Sequence, residues 1–173
     1  MISREEALQL IKNTSKYAHA MIVSIMMVEV AGYLGKDERE WELVGLLHDL
    51  DYDEVKDNMD QHGVVATERL KDKLPENCLY AIKAHDYRTR FIPQSQLDKA
   101  LIATDSLAIL IERSGIPPAV VDVEIIRAEL EKISSKQPWH KNNVCKCKDL
   151  GFNLKNFLQL CLNALRKLSN DLS

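Results

Sequence analysis

The 173-residue sequence lacks an excess of basic residues, a leader-like opening, a long unbroken apolar run, and any extended stretch of alternating polar and apolar residues. Each absence removes a class. A formal net charge of −3 argues against general nucleic-acid binding and against docking on anionic membranes, since both require a broad basic surface. It leaves room for a small basic pocket. The opening Met1-Ile2-Ser3-Arg4-Glu5-Glu6 has neither the charged start nor the apolar middle of a secretory signal. The longest apolar run, Ala20 to Ala31, is interrupted by Ser24 and Glu29 and is too short to span a bilayer. The four cysteines, in a chain without a secretion signal, are expected as reduced thiols, and the protein as cytoplasmic. Without alternation between turn signals there is no case for a sheet. No internal repeat or low-complexity tract is present.

What remains is a composition of 46% hydrophobic and 28% charged residues, ordinary for a globular domain, at a length that suits one domain over residues 1–173. The pattern predicts an all-α fold of seven or eight helices in one bundle. Ser3 and Glu6 have the spacing of a capping box, so a first helix runs from Arg4 to about Asn13. Thr14 or Ser15 would cap a second helix from Lys16 to Leu34, apolar on nearly every face and stopped by Gly35. A third helix, from Lys36 or Asp37, carries Trp41, Val44, Leu47 and Leu50 at helical spacing. The acidic stretch Asp51 to Asp60 reads as a loop with a short turn. A fourth helix has His62 in its first turn and Val65, Ala66, Leu70 and Leu74 inward. A fifth spans Glu76 to Asp86, and Tyr87 to Pro93 is a loop. Ser95 caps a long apolar helix to about Arg113. Pro118 to Ser134 is a seventh helix, 134–150 is expected to be irregular, and a last helix runs from Asn153 to Leu168 with Phe157, Leu158, Cys161, Leu165 and Leu168 on one face.

The informative stretch is Leu46-Leu47-His48-Asp49-Leu50-Asp51-Tyr52. An apolar run heading for the core ends on a histidine and an aspartate, and an unpaired buried carboxylate is costly. A helix end reaching solvent would accommodate both residues. A divalent cation would also do so, since it takes imidazole nitrogen and carboxylate oxygen together. Four of the five histidines, His19, His48, His62 and His85, fall at helix starts or ends in the first half of the chain. Asp105 lies in the middle of Ala100 to Ile111, apolar on nearly all sides, where a carboxylate must be neutralised, hydrogen-bonded or metal-bound.

The order His19, His48-Asp49, Asp105 resembles the H…HD…D signature of the HD-domain superfamily of metal-dependent phosphohydrolases. Leu46 to Asp51 is similar to that family's LLHDIG segment, His62-Gly63-Val64-Val65-Ala66 resembles its H…GA helix, and Ala81 to His85 its next histidine-bearing helix. The resemblance covers about residues 15–112, and the helical extension from about 117 to 170 lies outside it. It implies one divalent metal on His19, His48, Asp49 and Asp105. It also implies a second metal, or substrate contacts, at His62 and His85, with Asp49 as the bridge. His48 and Asp49 would be the catalytic pair, and an activated water the nucleophile. So nitrogen-rich a set suits Mn, Fe, Co, Ni or Zn, one or two ions per chain, better than Mg. The implied partner is a small phosphorylated substrate such as a nucleotide. Self-association into a homo-oligomer is compatible with the sequence and not specified by it.

The chain departs from the family where Ile-Gly should follow the pair: Leu50-Asp51 stands there, and no lysine follows closely. Asp51, Tyr52 or Asp53 would then shape the pocket. The pair His85-Asp86 is a weaker candidate motif, since it leaves His19 unexplained. Arg88 and Arg90 follow it on a loop expected beside the site, where either could contact substrate phosphate. His140, Cys145 and Cys147, with Cys161 beyond, have a C-x-C spacing foreign to the common zinc motifs. The same H…HD…H…H…D order occurs in diiron oxygenases of the superfamily, and a non-catalytic ligand-sensing module is a third reading.

Overall fold

The computed structural model describes residues 1–117 and 120–171, with side chains through Lys167. Among the described residues it is all-α, with no strand. The helices are α1 (Arg4–Ile11), α2 (Tyr17–Leu34), α3 (Glu38–Leu47), α4 (Tyr52–Val55), α5 (Val64–Leu70), α6 (Glu76–Ala84), α7 (Gln96–Ser114), α8 (Val123–Ser134), α9 (Pro138–Val144) and α10 (Leu154–Asp171). Short 3₁₀ turns occupy Met59–Gln61, Tyr87–Thr89 and Cys145–Leu150. The helices beyond the expected seven or eight come from two places. The acidic loop contains the four-residue α4, and the segment expected to be irregular forms α9, with Pro138 at its first position where a missing N–H costs nothing. Pro118, the expected start of the seventh helix, and the Leu168 side chain lie outside the described residues; α8 is capped by Asp122, whose carboxylate accepts the Ile125 N–H.

α2 is the axis of the bundle. Ala20, Val23, Met26, Met27, Val30 and Ala31 are buried against α3, α7 and α10, and each such side chain of Val or Met size contributes roughly 1.5–3 kcal/mol on burial. The whole helix is long and apolar enough to cross a bilayer by length and composition, more than its longest run suggested. In the fold that apolar surface is the core itself. Neither Thr14 nor Ser15 caps it. The Thr14 hydroxyl turns back to the Ile11 carbonyl, Ser15 is tied to Asp53, and Lys16 opens the helix without a side-chain cap.

α3 crosses α2 very closely, and Gly45 makes that possible. A Cβ there would lie 2.6 Å from the Ser24 Cα and 2.9 Å from its nitrogen. One turn further on is His48, so the approach that excludes a side chain at Gly45 also fixes the distance between His48 and His19 on α2. α5 meets α6 in a similar way. Gly63 has φ +80° and its absent Cβ would fall 2.4 Å from the Ile82 carbonyl oxygen, so only glycine fits on both counts. His62 therefore precedes α5, in extended backbone after the 3₁₀ turn, and is not in its first turn.

α7 begins with a capping box between Ser95 and Asp98 and ends on Gly115 at φ 67°. It lies along α2, presenting Asp105 and, two turns on, Glu112. The region after Gly115 folds back: α9 and the following 3₁₀ turn pack on α7, and α10 packs on α2.

Candidate metal centre

His19, His48, Asp49, His62, His85 and Asp105 converge at one end of the bundle, from α2, the end of α3, the approach to α5, the end of α6 and the middle of α7. All four imidazoles are buried, His48 completely. Asp49 lies between them. Its Oδ1 is 3.0 Å from His62 Nε2, 3.5 Å from His48 Nε2 and 3.7 Å from His85 Nε2, and its Oδ2 is 3.8 Å from His19 Nε2. Asp105 Oδ1 is 3.0 Å from His19 Nε2 and 3.8 Å from His48 Nε2.

The four rings share one orientation rule. His48 Nδ1 is 2.8 Å from the Gly45 carbonyl and His85 Nδ1 is 2.6 Å from the Ile82 carbonyl. A carbonyl can only accept, so both Nδ1 atoms carry protons. His62 Nδ1 faces the Asp51 carboxylate at 2.8 Å and His19 Nδ1 faces Glu112 at 3.0 Å. Every Nε2 is thereby turned inward, the arrangement in which outer acceptors orient metal-ligating histidines. His48 Nε2 is buried and has no hydrogen-bond partner.

The spacings suit a cation. Two atoms each about 2.1 Å from one ion lie about 3.0–3.4 Å apart at angles of about 90–110°. The pairs His19 Nε2–Asp105 Oδ1 at 3.0 Å and His62 Nε2–His85 Nε2 at 3.1 Å meet that condition. Among the described residues two overlapping groups could hold an ion, His19-His48-Asp105 and His48-Asp49-His85. The cluster is compatible with divalent metal, and its donors are imidazole and carboxylate.

Without a cation, protons fill its place. Burial disfavours charge on His19, but hydrogen bonds to Asp105 and Glu112 outweigh it and raise its pKa to about 10. Burial also opposes charge on His62, and Asp49 and Asp51 together raise it to about 9. Burial would push Asp49 and Asp105 up, yet the surrounding imidazoles hold both carboxyls well below the usual range.

Lys16 and Glu112 were not identified from the sequence, whereas Asp51 was expected to shape the pocket. Lys16, one turn ahead of His19 on the same face, brings Nζ to 3.4 Å from Asp49 Oδ2 and 4.0 Å over the Tyr52 ring. The family's usual lysine is missing after the HD pair, and a cation enters here from the start of α2. Glu112 sits seven residues beyond Asp105, in register on α7, and that spacing is the signal that could have found it. Asp51 is fully buried. Besides His62 it accepts the Gly63 and Ala66 N–H groups at 2.8 and 2.9 Å, and so anchors the start of α5. Asp53, by contrast, is spent on Ser15 outside the cluster.

A cavity of about 230 Å³ opens over the cluster, lined by Lys16, Asp49, Tyr52, Arg88, Trp139 and Asn143 among others. Trp139 and Asn143 come from α9, so the extension after Gly115 forms part of this wall. Arg88 faces the cavity in a two-pronged pair with Asp86, Nε lying 2.9 and 3.0 Å from its two oxygens. Burial opposes charge on Asp86, but that pairing keeps its carboxyl below the usual range. Arg90 does not line this cavity; it lines an adjoining one. His140 is buried and stacked on Trp139 at 3.5 Å between centroids; with Cys145, Cys147 and Cys161 it forms no metal-holding group among the described residues.

The class is an all-α bundle that gathers histidines and aspartates from successive helices around one shared carboxylate, compatible with a divalent metal. A model of the HD-domain family matches residues 17–110, more than half of the chain, and the chain belongs to that family, part of a superfamily of metal-dependent phosphohydrolases. No curated protein and no solved structure matches the chain.

Proposed function

We propose that the protein is a metal-dependent phosphohydrolase acting on a phosphoester or phosphoanhydride of a nucleotide or another small phosphorylated metabolite. The observation that carries this reading is the inward convergence of four Nε2 atoms on Asp49, with His48 Nε2 buried and unpartnered. His19, His48, Asp49 and Asp105 would hold one cation, and His62 and His85, with Asp49, would hold a second. A bound divalent transition metal supplies Lewis acidity, polarising a phosphoryl oxygen and lowering the pKa of a water.

The chain's own groups do the rest. Asp49, whose Oδ1 faces His48, His62 and His85 and whose Oδ2 faces His19 and Lys16, would take the proton of an attacking water. Lys16 and Arg88 both line the cavity and bind the non-bridging phosphate oxygens. Phosphate then competes with Asp49 for Lys16 and with Asp86 for Arg88. The Lys16 ammonium lies over the Tyr52 ring, which lines the same cavity.

The test is elemental analysis of the purified protein together with a screen of phosphomonoesters and nucleotides under Mn, Fe, Co, Ni and Zn. Bound transition metal and phosphate release are expected, with His48→Ala and Asp49→Ala losing both. Two irons per chain with O₂ consumption and no phosphate release would replace this reading with an oxygenase. Phosphate release at the wild-type rate in Asp49→Ala would remove the site assignment.

A further inference from the structure

Two cavities meet at the mouth of the centre. They share His85, Tyr87 and Asn143 as lining, and the second has a volume of about 300 Å³. Their cations differ in status. Lys16 and Arg88, in the first, are already paired with Asp49 and Asp86. Arg90 and Lys146, in the second, form no ion pair among the described residues, and no carboxylate lines that pocket. Uncompensated positive charge in a concave site attracts anions.

The backbone puts Arg90 there at a cost. Its φ is 65°, the left-handed region, and it is the one non-glycine residue among those described with positive φ. The 3₁₀ turn Tyr87–Thr89 holds it so. The Arg90 N–H donates to the Tyr87 carbonyl at 3.1 Å, and the Thr89 hydroxyl reaches the Lys83 and Asp86 carbonyls at 2.7 and 2.8 Å. This turn sends Arg88 to the centre and Arg90 to the neighbouring pocket. Tyr87, 70% exposed, lines both cavities, and Phe91 and Ile92, 38% and 74% exposed, line the second one with Arg90.

We propose that the Arg90–Lys146 pocket binds a second anionic group of the substrate, so that the preferred substrate is an organic bisphosphate: one phosphate at the centre, the other beside Arg90, and an apolar or planar portion along Phe91 and Ile92. This rests on the phosphohydrolase reading for the first phosphate alone. The Arg90 guanidinium takes the distal phosphate in charge-assisted hydrogen bonds, Lys146 of the same lining adds a point charge, and Asn143 stands at the junction of the cavities.

The test compares two scaffolds on the metal-loaded protein: adenosine 3′,5′-bisphosphate against adenosine 5′-monophosphate, and 1,6-hexanediol bisphosphate against hexyl phosphate. Affinity is read as KM where a compound is hydrolysed and as a calorimetric Kd where it is not. On at least one scaffold the bisphosphate should be favoured by about tenfold or more. In Arg90→Gly with Lys146→Ala the preference should fall to within about twofold, with metal content and the monophosphate value unchanged; glycine keeps the positive φ, so the turn survives. Arg90→Lys should restore part of the preference. Absence of preference on both scaffolds, a preference that survives the double variant, or failure of all four compounds to bind overturns the inference. Bisphosphate preference without hydrolysis of any compound would sink the phosphohydrolase reading and leave the anion pocket standing; hydrolysis without preference would do the reverse.

Discussion

Asp51 Oδ1 lies 2.8 Å from His62 Nδ1, and its other oxygen accepts the N–H groups of Gly63 and Ala66, all in full burial. The residue that breaks the family's Ile-Gly pattern is thus the one that orients a candidate ligand and caps α5. Asp51→Asn retains one acceptor oxygen for three donors, and each buried donor left unmatched costs roughly 1–3 kcal/mol. The melting temperature should fall by roughly 5–10 °C, and metal affinity on the His62 side by about 10–100-fold. Calorimetric melting and metal titration check both. A variant with wild-type metal affinity would end the orienting role.

Gly45→Ala sets two effects against each other. Helix propensity favours alanine by up to about 1 kcal/mol. The added Cβ, however, meets Ser24 backbone atoms at 2.6 and 2.9 Å, which no rotamer change can relieve. Overpacking costs typically about 1–3 kcal/mol, so net destabilisation is expected. Separation of α2 from α3 should also displace His48 from His19 and lower metal occupancy. A more stable Gly45→Ala protein would contradict the close crossing.

Metal-free protein should lose stability as pH rises. His19 and His62 have folded pKa values of about 10 and about 9, against about 6.5 unfolded. The folded chain therefore binds more protons between about pH 6.5 and 10, and the linkage makes unfolding easier as pH climbs through that window. Metal reverses the trend, because it needs those imidazoles deprotonated: below about pH 6.5 the unfolded chain binds more protons, and stability rises with pH. At a hundredfold excess over Kd the metal adds about 2.7 kcal/mol. Thermal melts across pH, with chelator and with metal, should diverge in slope. Parallel curves would count against the cluster as the binding site.

Lys16→Met removes a cation from Asp49 Oδ2 without adding a carboxylate. Metal content should hold, since the ammonium competes with metal for that oxygen. Turnover of a phosphomonoester should fall by roughly 10²–10³-fold, the usual effect of deleting one preorganised partner of developing charge. Unchanged kcat with full metal occupancy would assign Lys16 to packing on Tyr52 alone.

The helical class and most of the cluster were readable in the chain, because helix periodicity, capping pairs and a carboxylate in an apolar run are local signals. His48, Asp49 and Asp105 stood out for that reason, as did the ends of α2 and α7. Lys16, Glu112 and the depth of Asp51 did not, since each acquires its role from a partner on another element. His62 was assigned to a helix it only precedes, because the positive φ of Gly63 answers to the Ile82 carbonyl, a contact between segments far apart in sequence.

Local sequence, through periodicity and residue type, determined which elements form and which residue types could coordinate a metal. Tertiary structure decided which nitrogen of His19 and of His62 faces inward, because their Nδ1 partners Glu112 and Asp51 come across the fold, whereas the acceptors for His48 and His85, at Gly45 and Ile82, lie one turn back on their own helices. It also separated Arg88 from Arg90, two positions apart in sequence but aimed at different cavities by one strained backbone angle. Side-chain direction depends on dihedral angles and packing partners, and neither can be read from residue order alone.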